Sequence, residues 1–330
     1  MSFIEDVESE FKTRTGSYNY QNTIPKSCVH RAAIGEVFLT DIRKIHDNKY
    51  ITAGYLPKSH IYFNDLPYRK SSERVYDAIL LLEICRQTSI YVTHNFFAVP
   101  YSAKFVFDDA DVTLFDGDIP YKAGCSDVIV EVDIIERKFR KSELTGLIFR
   151  MDICVDGHCC AQKIMNITWM DNRKWNRLRS QRPIECHDTA SVFAAAPHEV
   201  GRQLPQNVVV GNVDMHDWGV VTTTVIVDRG HPSIFDHPLD HVPGMLLIEA
   251  YRQTALLAIR SRMGTQSFDL VISRYNVNFT RFCEFHKPVY CHARLGEIYL
   301  TDDKKSTVIP MTISQDEKQV SEAELTITFK

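Results

Sequence analysis

With 330 residues, 44% hydrophobic and 24% charged side chains and a formal net charge of -4, the chain has the make-up of a soluble globular protein with room for two cores, which excludes a fibrous, disordered or general nucleic-acid-binding class. No run of about 18 apolar residues is available to span a bilayer, and the opening MSFIEDVESEFKTR lacks the basic and apolar regions of a secretory leader. The expectation is a cytoplasmic protein with no membrane and no nucleic-acid partner, and its nine cysteines, none in a CxxC pair, are read as reduced thiols.

In chain order, residues 1–25 are polar, with a short amphipathic piece around Phe3 to Phe11, and read as an N-terminal arm. The stretch EVFLTDIRKIHDNKYITAGYL is rich in Val, Ile and Thr and reads as strands, followed by a polar turn, SHIYFND, that carries His60. A helix over LLLEICRQT comes next. After it AKFVFDDADVTLF, DVIVEVDIIERKF, LTGLIFRMDICVD and HCCAQKIMNITWM alternate with period two, the pattern of an antiparallel meander. His158, Cys159 and Cys160 lie at the head of the last of these, but adjacent cysteines without a second ligand pair rarely make tetrahedral zinc, so no metal is expected.

Residues 171–205 mix basic, Pro and Ala residues with no sustained period and read as a linker. The order then repeats: NVVVGNVDMHDWGVVTTTVIV, the turn GHPSIFDH with His231, a helix over LLIEAYRQT, and the strands FDLVISRYNVNFTRF, VYCHARLGEIYLT, STVIPMTISQ and SEAELTITFK. The two helix segments share six of nine residues at an offset of 166 positions, half the chain. A repeat of that length marks two copies of one unit: a first domain over 26–170 and a second over 206–330, each with strands, one long helix and a meander. A partner normally covers the apolar helix and sheet edge of such a unit. Here the same chain supplies one, so a pseudo-dimeric monomer or a homodimer of it is expected.

Both helices carry charge inside an apolar face. Positions three or four apart share a face, which gives the column Ile79, Leu80, Glu83, Arg86, Gln87, Ile90, Tyr91 in the first and Met245, Leu246, Glu249, Arg252, Gln253, Leu256, Leu257 in the second. Each polar island is closed by apolar residues on both sides, so it faces a pocket or an interface rather than bulk water. One reading is a buried ion pair that orients the helix, and duplication alone explains finding it twice. The second helix adds a chemical reading. It opens with Pro243, Gly244 and Met245, whose free backbone N–H groups sit at the positive end of the helix dipole, and Glu249 lies one turn deeper. A carbonyl polarised at that terminus while a carboxylate handles a proton is an arrangement for acyl chemistry. The first helix has Arg74-Val75-Tyr76-Asp77-Ala78 there, with no glycine, which makes the second repeat the better candidate for turnover.

A long helix wrapped by an antiparallel sheet, with a His-Pro stretch and a Pro-Gly corner ahead of a glutamate, resembles the α+β hotdog fold of dehydratases and thioesterases. FDHPLDHVPGMLLIEAYRQTA together with VHRAAIGEVFLTD is similar, more narrowly, to the A-factor biosynthesis hotdog family, the AfsA-type γ-butyrolactone or butenolide synthases, which carry two such repeats. The resemblance implies a double hotdog from about residue 26 to 330. It implies an acyltransferase that joins a β-ketoacyl group from acyl carrier protein to dihydroxyacetone phosphate, giving the precursor of a diffusible signal for secondary metabolism. It also implies Glu249 and Arg252 as catalytic residues, with Glu83 and Arg86 as first-repeat counterparts. Gly244 and Met245 at the helix start, with His237, His241 and Gln253 beside them, are the candidate substrate-binding residues, and no cofactor is expected. A dehydratase or thioesterase acting on carrier-protein or coenzyme A thioesters, and a non-catalytic acyl-binding protein, are the rival readings. Arg173, Lys174, Arg177, Arg179 and Arg182 form a candidate basic patch for an acidic carrier protein.

Overall fold

A computed structural model describes residues 18–183, 185–216, 219–301 and 304–330; the arm expected over 1–25 lies outside the described residues as far as residue 17. The chain divides into two compact units, the first holding the chain up to His60, Val75–Phe107 and Val112–Leu178, the second Ile61–Arg74, Asp108–Asp111 and Arg179–Lys330. The second unit thus takes in two segments of the first repeat and most of the stretch read as linker.

In the first repeat the strands are β1 (Leu39–His46), β2 (Lys49–Leu56), β3 (Val75–Tyr76), β4 (Lys104–Leu114), β5 (Ile119–Pro120), β6 (Ser126–Arg140), β7 (Glu143–Val155) and β8 (His158–Met170). Six of them lie in the order β1-β2-β6-β7-β8-β4, while β3 and β5 form a separate two-stranded ribbon. The helix α1 (Ala78–Phe96) packs on this sheet. Its burial extends nearly all round, as a sheet wrapped about a helix requires, and the Thr88 and Thr52 hydroxyls, 3.0 Å apart, pin it to β2.

The second unit repeats the plan with β9 (Val210–His216), β10 (Val220–Val225), β11 (Leu270–Phe279), β12 (Tyr290–Arg294), β13 (Ile298–Thr301), β14 (Lys304–Gln315) and β15 (Lys318–Phe329). Their order is β9-β10-β12-β14-β15-β11, with β13 beside β14. A short helix, α2 (Asn172–Arg179), follows β8 in the chain. The long helix of the second unit is α3 (Gly244–Met263), fixed to β10 by a 2.8 Å Thr254–Thr223 hydroxyl pair. Strand for strand the two repeats have one order, so both are hotdog folds. No helix among the described residues is long and apolar enough to cross a membrane.

Two sequence expectations are corrected by the packing. Cys154 and Cys159 are joined in a disulfide, not left as thiols; they are register partners across the β7–β8 hairpin, which brings their side chains together. The first part of the linker is α2, capped by the Asp171 carboxylate, which accepts from the Arg173 and Lys174 backbone N–H groups at 2.8 and 2.9 Å. Arg179 at its end is buried: it donates to both oxygens of Glu284 at 2.7 and 2.8 Å and to the Asp240 carbonyl at 2.8 Å, with its guanidinium over the Phe282 ring. It braces the loop ahead of α3 and is not part of a docking patch.

Candidate active site

Each long helix carries its polar island into the protein, and in each unit the carboxylate is gripped by a second arginine from just ahead of the first strand. In the first unit Arg31 donates to Glu83 Oε1 through Nε (3.0 Å) and Nη2 (2.6 Å). Arg86 closes on the same carboxylate with two prongs, Nε to Oε2 at 2.8 Å and Nη2 to Oε1 at 2.9 Å. Gln87 Nε2 donates to Glu83 Oε1 and to the Glu36 carbonyl, both at 2.7 Å, while its Oε1 accepts from the Phe38 N–H at 3.0 Å.

The second unit copies this arrangement. Arg202 spans Glu249, Nε to Oε1 and Nη2 to Oε2, each at 3.0 Å. Arg252 Nη2 lies 2.5 Å from Oε2. Gln253 donates to Glu249 Oε1 and, at 2.8 Å, to the Asn207 carbonyl, and its own oxygen accepts from Val209 N–H at 2.8 Å. Tyr62 adds a fourth donor: its hydroxyl donates to Glu249 Oε2 at 3.1 Å, and its carbonyl accepts from Arg202 Nη1 at 2.7 Å.

Both carboxylates are fully enclosed, at 0% exposure. Burial by itself pushes each carboxyl up, yet the paired guanidiniums, Arg31 with Arg86 and Arg202 with Arg252, outweigh it and hold both groups below the usual carboxylate range. The islands therefore face neither water nor an open pocket at the carboxylate, and both stay ionised. Gln253 and Gln87 spend both ends of the amide on backbone and glutamate, tying each helix to the chain entering β9 and β1.

The imidazoles of the matching turns are structural in the same duplicated way. His60 Nε2 lies 3.1 Å from Glu36 Oε1, and His231 Nε2 3.1 Å from Asn207 Oδ1. His231 Nδ1 accepts from the Ser233 and Ile234 N–H groups, which leaves Nε2 as the donor to Asn207. Near the start of α3, His241 Nδ1 is 2.6 Å from Asp240 Oδ1 and its ring meets Phe282 edge-on. His237 Nδ1 stands 3.7 Å from the buried Asp236 carboxylate.

The two helix starts differ in kind. Asp77 caps α1, accepting the Ile79 N–H at 2.9 Å. Pro243 begins α3 with no side-chain cap, and Gly244 and Met245 are partly exposed. Glycine there also has a packing reason: a Cβ on Gly244 would meet the Phe279 ring at 3.3 Å.

Sequence reasoning had named the helix residues of both clusters but not Arg31, Arg202 or Tyr62. A signal for the arginines exists: VHR at 29–31 and VGR at 200–202 recur at an offset of 171, the spacing of His60 and His231. Tyr62 has no such signal, because the matching position holds Ser233.

Comparison with known proteins agrees with this duplicated geometry. The A-factor biosynthesis hotdog domain (AfsA) matches residues 15–171 and again 187–330. The chain is 28% identical over 273 residues to the 2-oxo-3-(phosphooxy)propyl 3-oxoalkanoate synthase of Streptomyces virginiae, covering 82% of this chain and 87% of that one. It is also 28% identical over 274 residues to the synthase of the same name from Streptomyces coelicolor, covering 82% and 81%. Among solved structures, the pyran synthase domain from module nine of the sorangicin pathway superimposes with a TM-score of 0.53 at 9% identity, over 89% of this chain and 98% of that one; at that identity the likeness speaks for the fold.

Proposed function

Because the chain belongs to the A-factor biosynthesis hotdog family, whose matched members are named as synthases, we propose that it transfers a 3-oxoacyl group from a thioester to the hydroxyl of dihydroxyacetone phosphate. The observation that carries this reading is the contrast between the helix starts: α1 is closed by the Asp77 carboxylate, whereas α3 opens on Pro243 and Gly244 without a side-chain cap. A thioester oxygen at the second terminus meets the Gly244 and Met245 amides and the helix dipole, which stabilise the negative charge that builds on it during attack.

The acceptor hydroxyl oxygen attacks the thioester carbonyl, the C–S bond breaks, and the proton lost by the hydroxyl ends on the departing thiol. Glu249, with its oxygens occupied by four donor side chains and its carboxyl held ionised, serves as the fixed anion that orients Arg202 and Arg252; it does not accept the proton. Proton handling falls instead to His241, placed three residues before Gly244 with Nδ1 on Asp240. Arg252, buried against Glu249, supports the α3 start from below together with that carboxylate. His237 and the α3 start line the acyl side, and Gln253 keeps the helix in register. An acidic acyl carrier protein as thioester donor docks on the exposed Arg173, Lys174 and Arg177 of α2. The phosphorylated ester is the precursor from which a γ-butyrolactone or butenolide signal is made, and the whole reaction needs no cofactor.

Incubating the purified chain with a 3-oxoacyl carrier protein and dihydroxyacetone phosphate should give, by mass spectrometry, the phosphorylated 3-oxoacyl ester or its cyclised butenolide. Release of free 3-oxo acid alone makes the protein a thioesterase. An untouched thioester removes the assignment.

A further inference from the structure

The hairpin that joins β6 to β7 reaches beyond the sheet that carries it. β2 stops pairing with β6 at Asp133 and β8 stops pairing with β7 at Gly146, so the register pairs Phe139–Leu144 and Arg140–Glu143 have only each other. At this tip Phe139 is 59% exposed, and Arg140 and Lys141 beside it in the chain are exposed as well. Neither cation has a carboxylate partner among the described residues. Nearer the middle of the same sheet the charges are neutralised, Lys49 by Glu131 and Arg150 by Asp133, each at 2.9 Å.

The helix α2 extends the surface around the tip. Lys174 Nζ lies 3.4 Å from Glu143 Oε2, which sets the exposed Arg173, Lys174 and Arg177 next to the hairpin. Together residues 136–143 and 171–178 hold seven Lys and Arg against three Asp and Glu, in a chain whose formal net charge is -4. The duplicated plan does not repeat this excess: the connection from β12 to β14, residues 295–305, carries two lysines against three carboxylates. A local field of one sign with an exposed aromatic ring in it suits an acidic partner, whereas a surface built only for solubility mixes its charges. α2 turns Trp175 into the protein, where it is 6% exposed, and its cations outward, which fits an acidic protein better than insertion into a lipid surface.

We propose that Phe139, Arg140 and Lys141 at the β6–β7 tip form one docking surface with α2 for the acidic carrier protein that brings the thioester, and that each chain has a single such surface although its fold is duplicated. This rests on the thioester-transfer reading above. The cations steer the carrier into place and the ring gives it an apolar contact.

Titration calorimetry with holo-acyl carrier protein bearing no acyl group should show one site per chain, with an affinity that falls as salt is raised. Arg140→Glu combined with Lys141→Glu should weaken binding about tenfold, and Phe139→Ala about threefold; all three sites are exposed, so the melting temperature should hold. The KM for 3-oxoacyl carrier protein should rise by the same factors, while turnover of the same acyl group on N-acetylcysteamine, which has no protein surface to dock, stays put. Two sites per chain, unchanged carrier affinity in either variant, or an equal loss with both thioesters overturns the proposal. Binding to phosphatidylglycerol vesicles with none to the carrier overturns it too, in favour of a membrane. Failure of the transfer reading appears separately, as wild-type protein that binds the carrier one to one but forms no ester from either thioester.

Discussion

Set side by side, the starts of α1 and α3 differ in kind although the clusters beneath them match. Below each start lies a Glu-Arg-Gln island gripped by an arginine from ahead of the sheet, a device that recurs because it fixes the helix against the strand beside it. Above it the two diverge. One start is sealed by an aspartate; the other begins with proline and glycine, leaving its positive end without a side-chain cap. What recurs in both repeats is architecture, and what differs is the better place to look for turnover.

The largest expected effect comes from removing either glutamate. Glu83→Ala or Glu249→Ala leaves two buried guanidiniums facing one another and should cost the affected unit about 3–5 kcal/mol in denaturant unfolding. The comparison is broken if only one of the two behaves this way. Acid titration probes the same pair. Both folded-state carboxyls lie below their ordinary value, so their stabilisation is complete above about pH 4.5 and is lost as the pH falls below it. Denaturant midpoints should therefore drop toward pH 3, and the drop should be smaller in Glu→Gln variants.

Exchanging the caps sharpens the contrast further. Pro243→Asp copies the α1 start onto α3 and should lower the transfer rate about 10- to 100-fold, since the cap occupies the amides and sets a negative charge against the developing oxyanion. Melting temperature should hold or rise. Asp77→Ala is the smallest change: about 1 kcal/mol of stability lost with the transfer rate unaltered. A matching loss of rate in Asp77→Ala would put chemistry in the first repeat too.

Much of the fold was legible because its signals are local. Strand alternation, the helix column Glu83-Arg86-Gln87 and its repeat Glu249-Arg252-Gln253 need only neighbours three or four residues apart. The site was legible in part: the Pro243-Gly244 corner and the helix glutamate stood out, while the glutamate's setting did not. A helix carboxylate that the sequence places toward a pocket or an interface becomes a sealed, ionised anchor only once Arg202, 47 positions earlier, and Tyr62, 187 positions earlier, are folded against it. Arg179 moved from docking patch to brace for the same reason, through Glu284, 105 positions away.

The sequence by itself determined that this chain is one unit written twice, where its two long helices run and which polar residues they carry inward, because hydrophobic period and internal repetition are properties of the chain read in order. Only the tertiary structure decided what those polar residues face. The protonation and orientation of a buried carboxylate depend on the charges packed around it, and those come from segments far apart in the chain that no periodicity links.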